Sequence, residues 1–194
     1  MMSQGQDRED RVILVTGGSG LIGKSVQELI CTGNAAGANE NWTFVGSKDA
    51  NLENFEETLN LWKKYHPTHV LHLAAKVGGL YSNSLQNLKY FRVNMQINDN
   101  VLHASHLTNV KKVVSCLSTC IFPENITYPI DETKVHLGPP HQSNFGYAYG
   151  KRMVDVLNQG YHAEFGKCWT SVIPGNVYGP YDNYSISEGH VIPG

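Results

Sequence analysis

Five short apolar runs punctuate the chain, and each gives way to glycine, proline or a polar turn. They are Val12–Val15, Trp42–Val45, His69–Leu73, Lys112–Leu117 and Trp169–Ile173. Runs this short, bounded by turn residues, predict buried strands. Between them the apolar period lengthens to that of a helix, over residues 21–32, 53–65, 84–107 and 147–165. In the second of these, Phe55, Leu59 and Trp62 fall on one face. Strands alternating with helices predict an α/β fold with a doubly wound parallel sheet. Ligands on such sheets sit beyond the carboxyl ends of the strands. A Pro-rich region over about 121–145 is too long for an ordinary connection and reads as functional.

The first strand runs into Thr16-Gly17-Gly18-Ser19-Gly20-Leu21-Ile22-Gly23, with Gly17, Gly20 and Gly23 spaced G-x-x-G-x-x-G. Glycines at this spacing allow a tight turn, bring backbone close to a pyrophosphate, and let helix pack on strand. The helix N-terminus that follows offers free N–H groups to phosphate. A rival pattern overlaps it. Gly18 to Ser25 is also a literal G-x-x-x-x-G-K-S, the P-loop of NTPases. An NTPase needs a further acidic residue at a strand end to help hold Mg²⁺. Leu71–Ala75 and Val114–Leu117 offer none, which places Lys24 on the helix surface.

Composition narrows the class. The 194 residues suffice for one good core, and 41% hydrophobic with 16% charged residues is ordinary for a globular protein. Fifteen basic against seventeen acidic residues leave no field to attract nucleic acid or an anionic membrane. No apolar segment reaches the ~20 residues of a membrane span. The polar start, residues 1–10, reads as a disordered tail without the apolar core of a secretory signal. Cys31, Cys116, Cys120 and Cys168 form no C-x-x-C pair, so reduced thiols and a cytoplasmic location are expected. Cys116 reads as core, and Cys31 and Cys168 as structural. His69, His72, His136 and His141 receive no role.

Three groups of candidate residues lie at or just past strand ends: Ser118 to Cys120, the Y-x-x-x-K pair Tyr147 and Lys151, and Pro174-Gly175-Asn176-Val177. Four residues apart on a helix place Tyr147 and Lys151 on one face. Free tyrosine, with a pKa near 10, is about one part in a thousand ionised at pH 7. A lysine cation nearby is expected to lower that value. The phenol then exchanges a proton with a sugar or alcohol oxygen while a hydride moves at carbon. Ser118 is placed to hydrogen-bond the same oxygen, and Lys151 to hold a nicotinamide ribose.

Taken in order, the glycine turn, Leu73-Ala74-Ala75, Ser118 and Tyr147/Lys151 resemble the extended short-chain dehydrogenase/reductase superfamily, which implies a Rossmann-type sheet. The segments 73–79, 117–123, 129–133, 144–151, 174–184 and 189–193 look most like its epimerase/reductases of GDP-4-keto-6-deoxy-mannose. Their substrate is a GDP-sugar, their cofactor NADP(H) and their assembly a homodimer. The resemblance implies Cys120 and His190 as the acid/base pair that moves protons at sugar carbons, with Ser118, Tyr147 and Lys151 serving the reduction. Cofactor contacts are expected at Gly17, Gly18, Ser19, Gly20, Leu21, Ile22, Gly23, Lys48, Asn51, Leu52, Leu73, Ala74, Ala75, Lys151, Pro174, Gly175, Asn176, Val177 and His190. The tip of the second strand, Gly46-Ser47-Lys48, places Lys48 to pair with a 2′-phosphate, and Asp49 is expected to face away. Residues 11–180 form the expected NADP-binding domain and 181–194 the start of a substrate region. Relatives run on for roughly a hundred residues more, so most of the smaller C-terminal substrate domain is expected to be missing. Gly175 stands where the family usually has Thr. A nucleotide-sugar 4-epimerase, which would not need Cys120, and a non-catalytic NADP-binding fragment remain as alternatives.

Overall fold

The structure, a computed structural model, describes residues 10–33 and 35–185. The sheet has five parallel strands: β1 (Arg11–Thr16), β2 (Glu40–Val45), β3 (His69–His72), β4 (Lys112–Cys116) and β5 (Thr170–Val172). Their spatial order is β2-β1-β3-β4-β5. The direction of winding reverses at β1, so the crevice between β1 and β3 is the switch point where ligands bind on such sheets. Register pairs Thr16 with Val45 on one side and with His72 on the other. The carboxyl ends of the three strands therefore line up beside the glycine turn.

Four long helices connect the strands: α1 (Leu21–Cys31), α2 (Phe55–Tyr65), α4 (Asn87–Leu107) and α5 (Phe145–Phe165). The short α3 (Leu80–Leu85) precedes α4. The periodicity predicts a helix from residue 84, but the chain breaks at Gln86, whose φ of −132° and ψ of 31° leave the helical region. α2 is set by its ends. Asn54 caps the amides of Glu56 and Glu57, those acids face the positive end of the dipole, and Lys63 and Lys64 face the negative end. His66, in the left-handed region at φ 46°, closes the helix before Pro67. Leu61 and Trp62 are its buried apolar residues, while Phe55 and Leu59 pack at the core margin.

The core runs between the sheet and the helices, from Leu14 and Val70 through Val101, Leu102 and Val113 to Val154 and Trp169. Trp62 is fully enclosed and donates its indole N–H to the Ser105 hydroxyl at 3.0 Å. Such side chains each contribute about 1.5–3 kcal/mol through burial. Cys116 is buried as expected, whereas Cys31 and Cys168 are exposed free thiols. His72 is also fully enclosed. The Thr16 hydroxyl donates to its Nδ1 (2.8 Å), and its Nε2 donates to Asn98 Oδ1 (3.0 Å). Asn98 in turn donates to the Gly150 carbonyl, which ties β1, β3, α4 and α5 together at the carboxyl end of the sheet.

Candidate active site

Because all five strands are parallel, every candidate loop emerges at one edge of the sheet. The glycine turn follows β1, Gly46–Leu52 follows β2, Leu73–Ala75 follows β3, Ser118–Cys120 follows β4 and Pro174–Val177 follows β5. The turn after β1 is packed so closely that side chains are sterically barred. Gly17 has φ +71°, and a Cβ there would lie 2.7 Å from the Ala74 nitrogen. A Cβ on Gly23 would meet the Gly17 carbonyl oxygen at 2.4 Å. Gly18 donates to the Val45 carbonyl at 2.8 Å, locking the turn to the end of β2. Gly20 occupies the N-cap of α1 without a side-chain cap, and no acidic residue stands in the first turn. Open amides and an uncompensated positive dipole end suit the phosphates of a dinucleotide.

The same geometry removes the P-loop reading. Lys24 is exposed, and its ammonium lies 5.4 Å from the centroid of the Tyr181 ring. Ser25 donates its hydroxyl back to the Leu21 carbonyl at 3.0 Å. Neither side chain faces the turn as a phosphate and metal ligand would.

Beyond β2, Lys48 is exposed on the turn. The Asp49 carboxylate accepts the Gly46 N–H at 2.8 Å and so is committed to the loop. Asn51 and Leu52 lead into α2, with the Leu52 carbonyl held by Asn100 Nδ2 at 2.8 Å. Beyond β3, Asn94 clasps the backbone of Lys76 from both sides, accepting its N–H at 2.9 Å and donating to its carbonyl at 3.0 Å. This clasp fixes the loop that starts at Leu73-Ala74-Ala75. Gly175 has open space where a Cβ would stand, so threonine would fit there without strain.

The candidate catalytic groups gather between β4 and α5. Lys151 is buried, and its ammonium donates to the Cys116 carbonyl at 2.8 Å. Burial lowers its pKa to about 8, against an opposing pull from the Cys116 thiol. Burial also pushes the Tyr147 phenol upward; the neighbouring Cys120 and Cys116 sulfurs add to the rise, and a Ser118 hydrogen bond opposes it. The expected lowering of the tyrosine by the lysine is therefore corrected. Desolvation of the phenol dominates, and the ammonium is turned to a backbone carbonyl. At neutral pH the phenol keeps its proton and is a donor.

Cys120 sits on a short 3₁₀ turn, Thr119–Ile121, whose start is capped by the Ser118 side chain. Two residues without a role in the sequence motifs hold this turn. Arg152, buried on α5, donates to the carbonyls of Ile121 and Gly138. Burial lowers its pKa, and its guanidinium lies over the Tyr149 ring at 5.2 Å. Asn144 donates from Nδ2 to the Cys120 sulfur at 3.1 Å. A cavity of about 650 Å³ opens beside Cys120 and Asn144 and is walled by Phe122, Ile126, Ile130 and His141. His190, the other expected acid/base residue, lies outside the described residues.

The family model for the NAD dependent epimerase/dehydratase family matches residues 13–194. The chain belongs to this family. Among members of the family, it is 55% identical over 184 residues to a GDP-L-fucose synthase of Dictyostelium discoideum, covering 95% of this chain and 57% of that one. A probable GDP-L-fucose synthase of Drosophila melanogaster is 54% identical, with 94% and 56% covered. The crystal structure of a GDP-L-fucose synthetase from Naegleria fowleri bound to NADP superposes with a TM-score of 0.86 at 45% identity, covering 99% of this chain and 61% of that one. The chain thus spans little more than half the length of these epimerase/dehydratase relatives.

Proposed function

We propose that the chain carries the NADP(H)-binding and reacting-centre half of a GDP-4-keto-6-deoxy-D-mannose 3,5-epimerase and 4-reductase, the activity of a GDP-L-fucose synthase. The observation that supports this best is the placement of Cys120 beside Ser118 and Tyr147. A simple ketone reductase or 4-epimerase needs the hydroxyl pair alone. A thiol next to it adds a base for protons on carbon.

In this reading the turn Gly17-Gly18-Ser19-Gly20-Leu21-Ile22-Gly23 holds the pyrophosphate. Lys48 pairs with the 2′-phosphate, and Asn51 and Leu52 lie by the adenine. Leu73, Ala74, Ala75, Pro174, Gly175, Asn176 and Val177 border the nicotinamide side, with His190 from beyond the described residues. Lys151 uses one donor on Cys116 and offers the others to the nicotinamide ribose. NADPH, when bound, supplies a hydride to C4 of the sugar. Ser118 polarises the C4 carbonyl. Cys120 removes the protons at C3 and C5, which the ketone acidifies, and His190 returns protons on the opposite face. Tyr147 then gives its phenolic proton to the C4 oxygen, a donor role that its upward-shifted pKa supports.

Residues 11–180 are assigned to the NADP-binding domain and 181–194 to the start of the substrate region. A homodimer is proposed as the assembly, supported by the exposed apolar side chains of Leu80, Tyr81, Leu85 and Leu88. A cytoplasmic location is proposed from the free thiols.

The test is to incubate the chain with the keto-sugar and NADPH in D₂O and follow label and reduction separately. Tyr147→Phe is expected to keep deuterium wash-in at C3 and C5 and lose reduction. Cys120→Ala is expected to lose the wash-in. Wash-in that survives Cys120→Ala would overturn Cys120 as the base, and no wash-in in the unsubstituted chain would overturn the epimerase reading.

A further inference from the structure

Asn144 is the N-cap of α5, yet its side chain makes no cap hydrogen bond. An asparagine at this position ordinarily accepts an amide of the first turn. Here that duty is carried by another residue. Gly146 donates its N–H to Asn87 Oδ1 at 2.9 Å, and Asn87 Nδ2 reaches the Ser143 carbonyl at 3.3 Å. The first residue of α4 thus caps α5 from outside. Gly146 is what permits the approach, since a Cβ there would lie 1.9 Å from the Asn87 carbonyl oxygen. Asn144 is left free to turn its amide N–H to the Cys120 sulfur at 3.1 Å.

We infer that Asn144 is a positioning residue for Cys120, its amide N–H holding the sulfur toward the cavity, with Asn87 and Gly146 releasing it from the helix cap. An N–H donated to sulfur stabilises the anion more than the thiol. The N-terminus of α5 adds a positive dipole end on the same side. Arg152 fixes the other half of the geometry by holding the carbonyl of Ile121, the residue after the cysteine. The cysteine is therefore held at two points, through the turn it sits on and through its sulfur.

The proposal rests on the functional reading for its purpose, but its test does not. In a chain with Cys31→Ser and Cys168→Ser, the alkylation rate of Cys120 by iodoacetamide is measured at pH 7.5 and localised by peptide mass spectrometry. Asn144→Ala is expected to slow alkylation roughly tenfold, the scale of one hydrogen bond to a charged group. Asn144→Asp is nearly isosteric and replaces the donor with an anion, so it is expected to slow alkylation further. Asn144→Ser, which keeps a short donor, is expected to fall between wild type and Ala. An Asp variant that reacts as fast as wild type would overturn the assignment, because shape alone would then suffice. The same holds if Ala leaves the rate unchanged. The readout is the sulfur's own reactivity, so failed turnover of the keto-sugar overturns the functional reading without touching this one, and an unchanged alkylation rate does the reverse.

Discussion

Lys151 points its ammonium at the carbonyl oxygen of Cys116, 2.8 Å away, four residues along α5 from a Tyr147 whose phenol is held protonated. The two side chains share a helix face, but the sheet decides where the charge goes. A cation buried between β4 and α5 must find an acceptor, and the carbonyl at the end of β4 supplies it.

This burial makes stability depend on alkaline pH. The Lys151 pKa is lowered in the folded chain to about 8 from 10.5. The unfolded chain therefore binds more protons between those values, and stability rises with pH across that window. Below pH 8 the buried charge costs about 3 kcal/mol relative to pH 10.5. Lys151→Met is expected to flatten this rise. Urea unfolding of both proteins at pH 7.5, 9 and 10 checks it, and parallel curves would refute the cause given.

His72 gives the opposite end of the pH scale. Its pKa is lowered to about 3, mainly by burial and next by Lys151. The stability linked to its neutral form is complete above pH 6.5 and is lost as pH falls from there toward 3. One titrating group gives a slope of at most about 1.4 kcal/mol per pH unit. His72→Gln should be less stable than wild type at pH 7 and show a shallower loss between pH 6.5 and 4.5. Equal slopes would mean that other groups drive acid unfolding.

The strands were legible because each is a short apolar run ending in turn residues, from Val12–Val15 to Trp169–Ile173. The glycine turn was legible because its spacing answers to steric contacts within a few residues, such as Gly23 against Gly17. What escaped was set by distant partners. The break at Gln86 interrupts a continuous helical period. The roles of Asn144 and Asn87 depend on two helices meeting N-terminus to N-terminus, and an asparagine in a loop carries no periodic signal. Arg152, next to Lys151, reads as a second polar helix residue. Its neighbours Ala148 and Val154 on the buried face were the available hint.

Two glycines test the steric argument against each other. Gly23→Ala places a methyl 2.4 Å from the Gly17 carbonyl oxygen and is expected to cost about 1–3 kcal/mol and weaken NADPH binding at least tenfold. Gly160, within α5, has nothing within 4 Å of where a methyl would stand, so Gly160→Ala is expected to stabilise by about 0.5–1 kcal/mol with NADPH binding unchanged. Thermal unfolding and calorimetric titration of both variants separate a tight cradle from general sensitivity to glycine loss.

We propose that cofactor choice turns on Lys48 and Asp49. An acidic residue at the tip of β2 favours NAD by accepting the ribose 2′-hydroxyl. Asp49 is in the right stretch, but its carboxylate already accepts the Gly46 N–H at 2.8 Å, and the Asp49 N–H returns a bond to the Gly46 carbonyl at 3.0 Å. Rotating the carboxylate toward a ribose would open this turn. Lys48, exposed beside it, is free to meet a 2′-phosphate. Lys48→Ala is therefore expected to weaken NADPH roughly tenfold, as for one charge-assisted contact, and to leave NADH nearly unchanged. Asp49→Asn keeps an acceptor for Gly46 and should alter neither affinity strongly. Titration of the three proteins with both nucleotides decides the point. If Lys48→Ala weakens NADPH and NADH equally, the lysine serves the turn itself, and the 2′-phosphate must be read by another residue.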